Sequence, residues 1–153
     1  LDGPVTSDQD LTGTLQYTAA DGTVTSSVDG SAAQDITDGD VTNNVAAINP
    51  AFSSAEVTDA NANQLRVTFD ANVEATDATG FSVTTDDATA LNVQGYSAVE
   101  GSDTVVLNLD RAVTSGETIT ASYDAGAGNV VSSVDGSAAQ GFTDNAVTNS
   151  VVA

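Results

Sequence analysis

A chain that carries one long string of residues twice is built from modules, and the distance between the copies sets the module's size. Here Ser26-Ser-Val-Asp-Gly-Ser-Ala-Ala-Gln34 returns as Ser132 to Gln140, an offset of 106 residues. The match runs without gaps over residues 11–47 and 117–153, where 22 of 37 positions are identical, among them Tyr17/Tyr123, Asp38/Asp144 and Val41-Thr-Asn43/Val147-Thr-Asn149. Upstream, Leu1-Asp2 and Val5-Thr-Ser7 match Leu109-Asp110 and Val113-Thr-Ser115 at an offset of 108, so the first copy holds a two-residue insertion. Residues 1–47 therefore read as the C-terminal part of one repeat and residues 48–153 as a complete one. Repeats of about 100 residues are whole domains joined in series, unlike the short units of solenoids, which must stack to fold.

Within the complete repeat the apolar residues alternate. Leu65, Val67 and Phe69 alternate with Arg66, Thr68 and Asp70; Phe81 and Val83 alternate with Ser82 and Thr84. The same holds for Val105, Leu107 and Leu109 and for Ile119, Ala121 and Tyr123, with Val147 and Val151 marking a last strand. Successive side chains of a strand face opposite ways, so this period of two describes strands with one face in a core. Asp59-Ala-Asn-Ala-Asn63, Asp86-Asp87, Glu100-Gly-Ser-Asp103 and Ser115-Gly116 supply the turn residues between runs. The Ala-rich stretches lack helical spacing of larger apolar residues. The expectation is an all-β fold, an antiparallel sandwich of about seven strands. Its interior is expected to hold Val67, Phe69, Phe81, Val83, Leu107, Leu109, Ile119 and Tyr123.

Charge decides which partners are excluded. There are 22 acidic residues against two basic ones, Arg66 and Arg111, with neither Lys nor His, and the formal net charge is −20. Nucleic-acid binding rests on neutralising phosphates with Lys and Arg, so it is excluded, and anionic membrane surfaces with it. No apolar run approaches the roughly 18 residues of a membrane helix. Self-repulsion at this charge opposes the compact state unless salt or cations screen it. High salt or a divalent-rich extracellular medium fits, and the Asp-rich, Lys-free composition favours a halophile. The absence of Cys excludes disulfides, thiolate zinc sites and Cys nucleophiles. No signal peptide is visible at Leu1, as expected of an internal or mature segment.

The order of elements is Ala55-Glu-Val57, Leu65-Arg-Val-Thr-Phe69, Phe81-Ser-Val-Thr84 and Val105-Val-Leu-Asn-Leu109. There follow Val113-Thr-Ser-Gly-Glu-Thr-Ile-Thr-Ala-Ser-Tyr123, a Val134-Asp-Gly-Ser-Ala-Ala loop and a closing Val147-Thr-Asn149. Over residues 48–153 this resembles the Ig-like tandem repeats of large bacterial and archaeal surface proteins and adhesins, in particular the SwmB type. The resemblance implies an antiparallel Ig-like β-sandwich, a place on the cell surface, and a role as spacer or adhesive stalk. It brings no catalytic residues.

Candidate sites are few. Without His or Lys, a Ser or Thr has no conventional base partner. Carboxylate pairs such as Asp86/Asp87 and Glu100/Asp103 sit in expected surface turns, so no enzyme is expected. Asp35-Ile-Thr-Asp38-Gly-Asp40 places three carboxylates near the junction at Asn49-Pro50, and calcium takes six to eight such oxygens. Asp35, Asp38 and Asp40 are thus the candidate calcium ligands. Against them, the matching segment Gly141-Phe-Thr-Asp144-Asn-Ala146 keeps only Asp144. Tyr17, Tyr123, Phe69 and Phe81 belong to expected strands and to the core. Ile36 and Phe142 share a position that reads as a buried apolar slot, and only Tyr96 falls in a loop-like context. Asp29-Gly30 and Asp135-Gly136 are turn pairs, and no N-glycosylation sequon occurs.

The function expected is that of a structural spacer, stalk or filament module of an extracellular repeat protein, without catalysis. The alternative is an adhesin domain that binds a glycan or protein through loops such as 86–103. Expected partners are adjacent repeats or other copies of the chain. Residues 1–47 offer only the strand around Leu15 to Tyr17, the Val24–Val28 segment and a closing strand around Val41 to Val45. So few strands are not stable alone. Completion by a neighbouring copy through added strands would make a head-to-tail polymer; folding back onto residues 48–153 is the other outcome.

Overall fold

The computed structural model describes residues 15–18, 24–25, 27–28, 31, 33–39, 41, 45–86 and 91–153. The chain divides into two units, Leu1–Ala47 and Ile48–Ala153. In the first, β1 (Leu15–Tyr17) pairs antiparallel with β2 (Ile36–Gly39). The closing strand expected around Val41 to Val45 is not found at Val41 or Val45, and residues 42–44 lie outside the described residues.

The second unit holds β3 (Phe52–Thr58), β4 (Gln64–Phe69), β5 (Val73–Glu74), β6 (Phe81–Thr85), β7 (Val93–Glu100), β8 (Thr104–Leu109), β9 (Ile119–Tyr123), β10 (Val131–Ser132) and β11 (Phe142–Ser150). Its helical content among the described residues is one 3-10 turn, Asp59–Asn61. Seven strands form one sheet in the order β6-β9-β11-β3-β4-β8-β7, and β5 and β10 pair apart from it. The sheet curls: a bridge between Val83 and Leu91 links β6, at one edge, to the segment that leads into β7, at the other.

The expectation of an all-antiparallel sheet is corrected at one place. β11 runs antiparallel to β9 in its first part and parallel to β3 at Thr148↔Glu56, Asn149↔Val57 and Ser150↔Thr58. A nine-residue strand is long enough to serve two neighbours, and a bulge between Phe142 and Asn145 redirects it.

Alternation places the core as expected. Val67, Leu107, Ile119, Phe69 and Tyr123 are buried, as are Val83 and Leu109. Phe81 packs against this cluster and is only partly buried. Its ring lies 4.6 Å from that of Tyr123, and Phe142 stands 4.6 Å from Phe52 and 6.1 Å from Tyr123. Phe142 is partly buried in this apolar cluster, whereas Ile36 at the matching position is 41% exposed, so the expectation of a buried slot common to both is corrected. Another expectation is overturned: Tyr96 is not in a loop but in β7, opposite Leu107. Register shifts at Val93/Gly95 and Tyr96/Ala98 interrupt the alternation of β7, which hides the strand in the sequence.

Candidate functional site

The repeated string Ser132 to Gln140 forms a loop that grips the start of its own unit. At its centre, Asp-Gly makes a tight turn: Gly136 has φ +75 and donates its N–H to the Ser132 carbonyl at 2.9 Å. Asp135 is 8% exposed, and its carboxylate accepts the Ser137 N–H at 3.1 Å and the Ile48 N–H at 2.9 Å. Beyond it, Asn49 Nδ2 donates to the Ala138 carbonyl at 2.9 Å, and Gln140 Nε2 donates to the Asn49 carbonyl at 3.1 Å. The Gln140 N–H donates to the Pro50 carbonyl at 2.8 Å. Pro50 is buried and has no N–H to leave unsatisfied, so it suits the approach to a strand. Past β3, the Val152 N–H donates to Asp59 Oδ1 at 3.1 Å. The incoming chain is therefore stitched to the outgoing one at Ile48–Pro50 and again at Glu56–Asp59. Reading the loop as turn chemistry alone missed this. The repeated Gln34/Gln140 is the signal, because a tight turn has no need of that side chain.

The candidate calcium ligands are placed only in part. Asp35 is exposed just before β2, Asp38 lies within β2, and Asp40 lies outside the described residues. Among the described residues no three metal-ligating side chains converge. The counterpart of Asp38 shows a backbone reason for an aspartate at this position. Asp144 sits in the bulge of β11 with φ +52, donates its N–H to Ser122 Oγ at 2.9 Å, and accepts the Ser122 hydroxyl at 3.4 Å. Aspartate tolerates this left-handed conformation better than most residues.

Both arginines are held by glutamates. Arg66 bridges Glu56, at 3.6 Å, and Glu100. Arg111 forms a forked pair with Glu117, whose carboxylate also accepts the Thr114 N–H at 3.0 Å. The Arg111 hydrogen bond holds the Glu117 carboxyl below its ordinary value, against a smaller opposing effect of burial. Hydrogen bonds from Thr79 lower Asp77, and the Asn92 side chain lowers Asp110. Each of these shifts favours the carboxylate, the reverse of what a general acid at neutral pH requires. Tyr123 moves up because it is buried. A shallow groove lined by Ser82, Ser122, Asp124 and Phe142 brings hydroxyls beside a carboxylate, with no His or Lys in the chain to activate them.

Comparison with known proteins places this architecture. The family described as "Putative flagellar system-associated repeat", SWM_repeat, matches residues 41–128, more than half of the chain. No curated protein matches. Among solved structures, the N-terminal part of the bacterial S-layer protein SbsC matches with a TM-score of 0.54 and 22% identity, over 67% of this chain and 24% of that one. At that identity the likeness is one of fold. No described helix is long and apolar enough to cross a membrane.

Proposed function

The chain belongs to the SWM repeat family, and on that premise we propose that it is a structural module of an extracellular repeat protein, a spacer or stalk unit set in series with others of its kind. The observation that carries this reading is the recurrence of one local architecture. The β1–β2 pair of the first unit has the register of β9–β11 in the second, 106 residues on. The S-layer likeness and the family description support a surface location. We read the curled sheet as an Ig-like sandwich, with β3, β4, β8 and β7 as one layer and β6, β9 and β11 as the other. Adjacent repeats, or other copies of the chain, are the partners this reading names.

Labelling of intact cells with an antibody against residues 48–153, before and after protease shaving, tests the location. Signal that shaving removes is the expected result; signal that appears only after lysis would overturn the reading. The adhesin alternative draws less support, since much of the 86–103 stretch on which it rests is strand β7 rather than loop.

A further inference from the structure

The seam between the two ends of the repeat has a direction. Its rungs run from Ile48–Asp135 through Asn49–Ala138, Asn49–Gln140 and Pro50–Gln140 to the β3–β11 pairs, and end at Asp59–Val152. Residue numbers rise together on both sides, so the incoming and outgoing segments run parallel through both stretches of the seam, Ile48–Pro50 and Glu56–Asp59. The chain enters at the Ile48 end and leaves at the Val152 end. At about 3.3 Å per residue, β3 alone separates these ends by roughly 20 Å.

Tension applied through the chain ends would pull β3 towards its N-terminus and β11 towards its C-terminus. Those are opposite directions along one axis, so the rungs are strained together. Had both segments left by the same end, the rungs would open one at a time, each meeting the force alone. The bonds from Asp135, Ala138 and Gln140 land on Ile48–Pro50, upstream of the first strand of the unit. There they stand directly in the path of an axial pull.

We propose that the repeat is a tension-resisting module whose parallel seam acts as a shear lock, with the loop from Asp135 to Gln140 as its first catch. The proposal rests on the reading of the chain as one module in a series, since such a module bears any pull applied to its neighbours.

The chain has no native cysteine, so paired thiol handles can be placed without competitors on the full chain. Ala47→Cys with Ala153→Cys loads the seam along its length. Ala60→Cys with Ala153→Cys puts both handles at the Val152 end and peels the same seam open; all three alanines are exposed. The lengthwise pair is expected to unfold at a force several times higher at equal loading rate. Asn49→Ala with Gln140→Ala removes two side-chain rungs at exposed positions. At constant force this double variant should unfold roughly tenfold faster under lengthwise load. Under peeling it should barely change, because those rungs break last. Equal forces for the two handle pairs, or an equal effect of the double variant in both directions, would overturn the proposal. Cell labelling and unfolding force are separate readouts, so either reading can fail while the other stands.

Discussion

The hairpin of the first unit and its counterpart in the second are the same object in two settings. Tyr17 pairs with Ile36 and Leu15 with Gly39; 106 residues later, Tyr123 pairs with Phe142 and Ala121 with Asn145. Each pairing has its register shift at the same point. Val24 donates its N–H to Tyr17 Oη at 3.3 Å, and Val130 to Tyr123 Oη at 2.9 Å. The Ala33 N–H reaches the Val24 carbonyl at 2.9 Å, as the Ala139 N–H reaches that of Val130 at 2.9 Å. Burial separates them: Val130 is 1% exposed and Val24 57%. Ile36 is 41% exposed, whereas Phe142 packs on Phe52 of β3 and Tyr123 on Phe81 of β6. The hydrogen-bonded geometry that joins Leu15, Tyr17, Val24, Ala33, Ile36 and Gly39 is encoded locally. A core needs strands that arrive from elsewhere in the repeat.

The change that should break this comparison most strongly is Phe69→Ala. Phe69 is 2% exposed in the second unit, and its truncation should cost about 3–5 kcal/mol there. Chemical denaturation should record that loss, and an unchanged midpoint would show that Phe69 is not held in a packed core. A smaller change sharpens it. Tyr123→Phe strands the buried Val130 N–H and should cost about 1–3 kcal/mol, whereas Tyr17→Phe, at a longer and exposed contact, should cost less than about 0.5 kcal/mol. Equal losses from the two tyrosines would mean that the hairpins are equally covered in solution.

The next effect is confined to the second unit. Glu117 has a depressed carboxyl, so its contribution to stability is complete above the ordinary value of 4.5 and is lost as pH falls through the lower folded value. Glu117→Gln should lower neutral-pH stability by up to about 1 kcal/mol and flatten the acid limb below that pH. An acid limb identical to that of the parent would rule out the pair as its source. Screening has the smallest effect per residue. With two guanidinium groups against 22 carboxylates, the melting temperature should climb from low to molar NaCl. Millimolar calcium should reproduce the rise only if carboxylates such as Asp35, Asp38 and Asp40 bind it. A melting temperature indifferent to both would show that the acidic surface is merely tolerated.

Much of the fold was legible because strands announce themselves by alternation. Leu65 to Phe69, Phe81 to Val83, Val105 to Leu109 and Ile119 to Tyr123 all fall in strands with alternate apolar residues turned to the core, and Val106, on the other face of β8, is buried outside that cluster. β7 was hidden, because its register shifts break the pattern that reveals a strand. The seam was half legible. Repetition singled out Asp135, Gly136 and Gln140, yet a repeated residue does not name what it touches. Gly22 and Gly128 repeat in the same way, and only the fold explains the second: a Cβ there would lie 2.3 Å from the Tyr123 ring.

By itself, then, the sequence determined the repeat length, the all-β character, the core faces of most strands and the acidic surface. Each of these is a property of neighbours along the chain or of composition. Tertiary structure alone decided that β11 would divide itself between β9 and β3, that the β3 pairing would be parallel, and that Asp135 would reach the Ile48 N–H. The β3 pairing and the Asp135–Ile48 bond join residues about 90 positions apart. Over such distances loop closure costs little that depends on sequence, and the outcome is set by which edges the other strands leave unpaired.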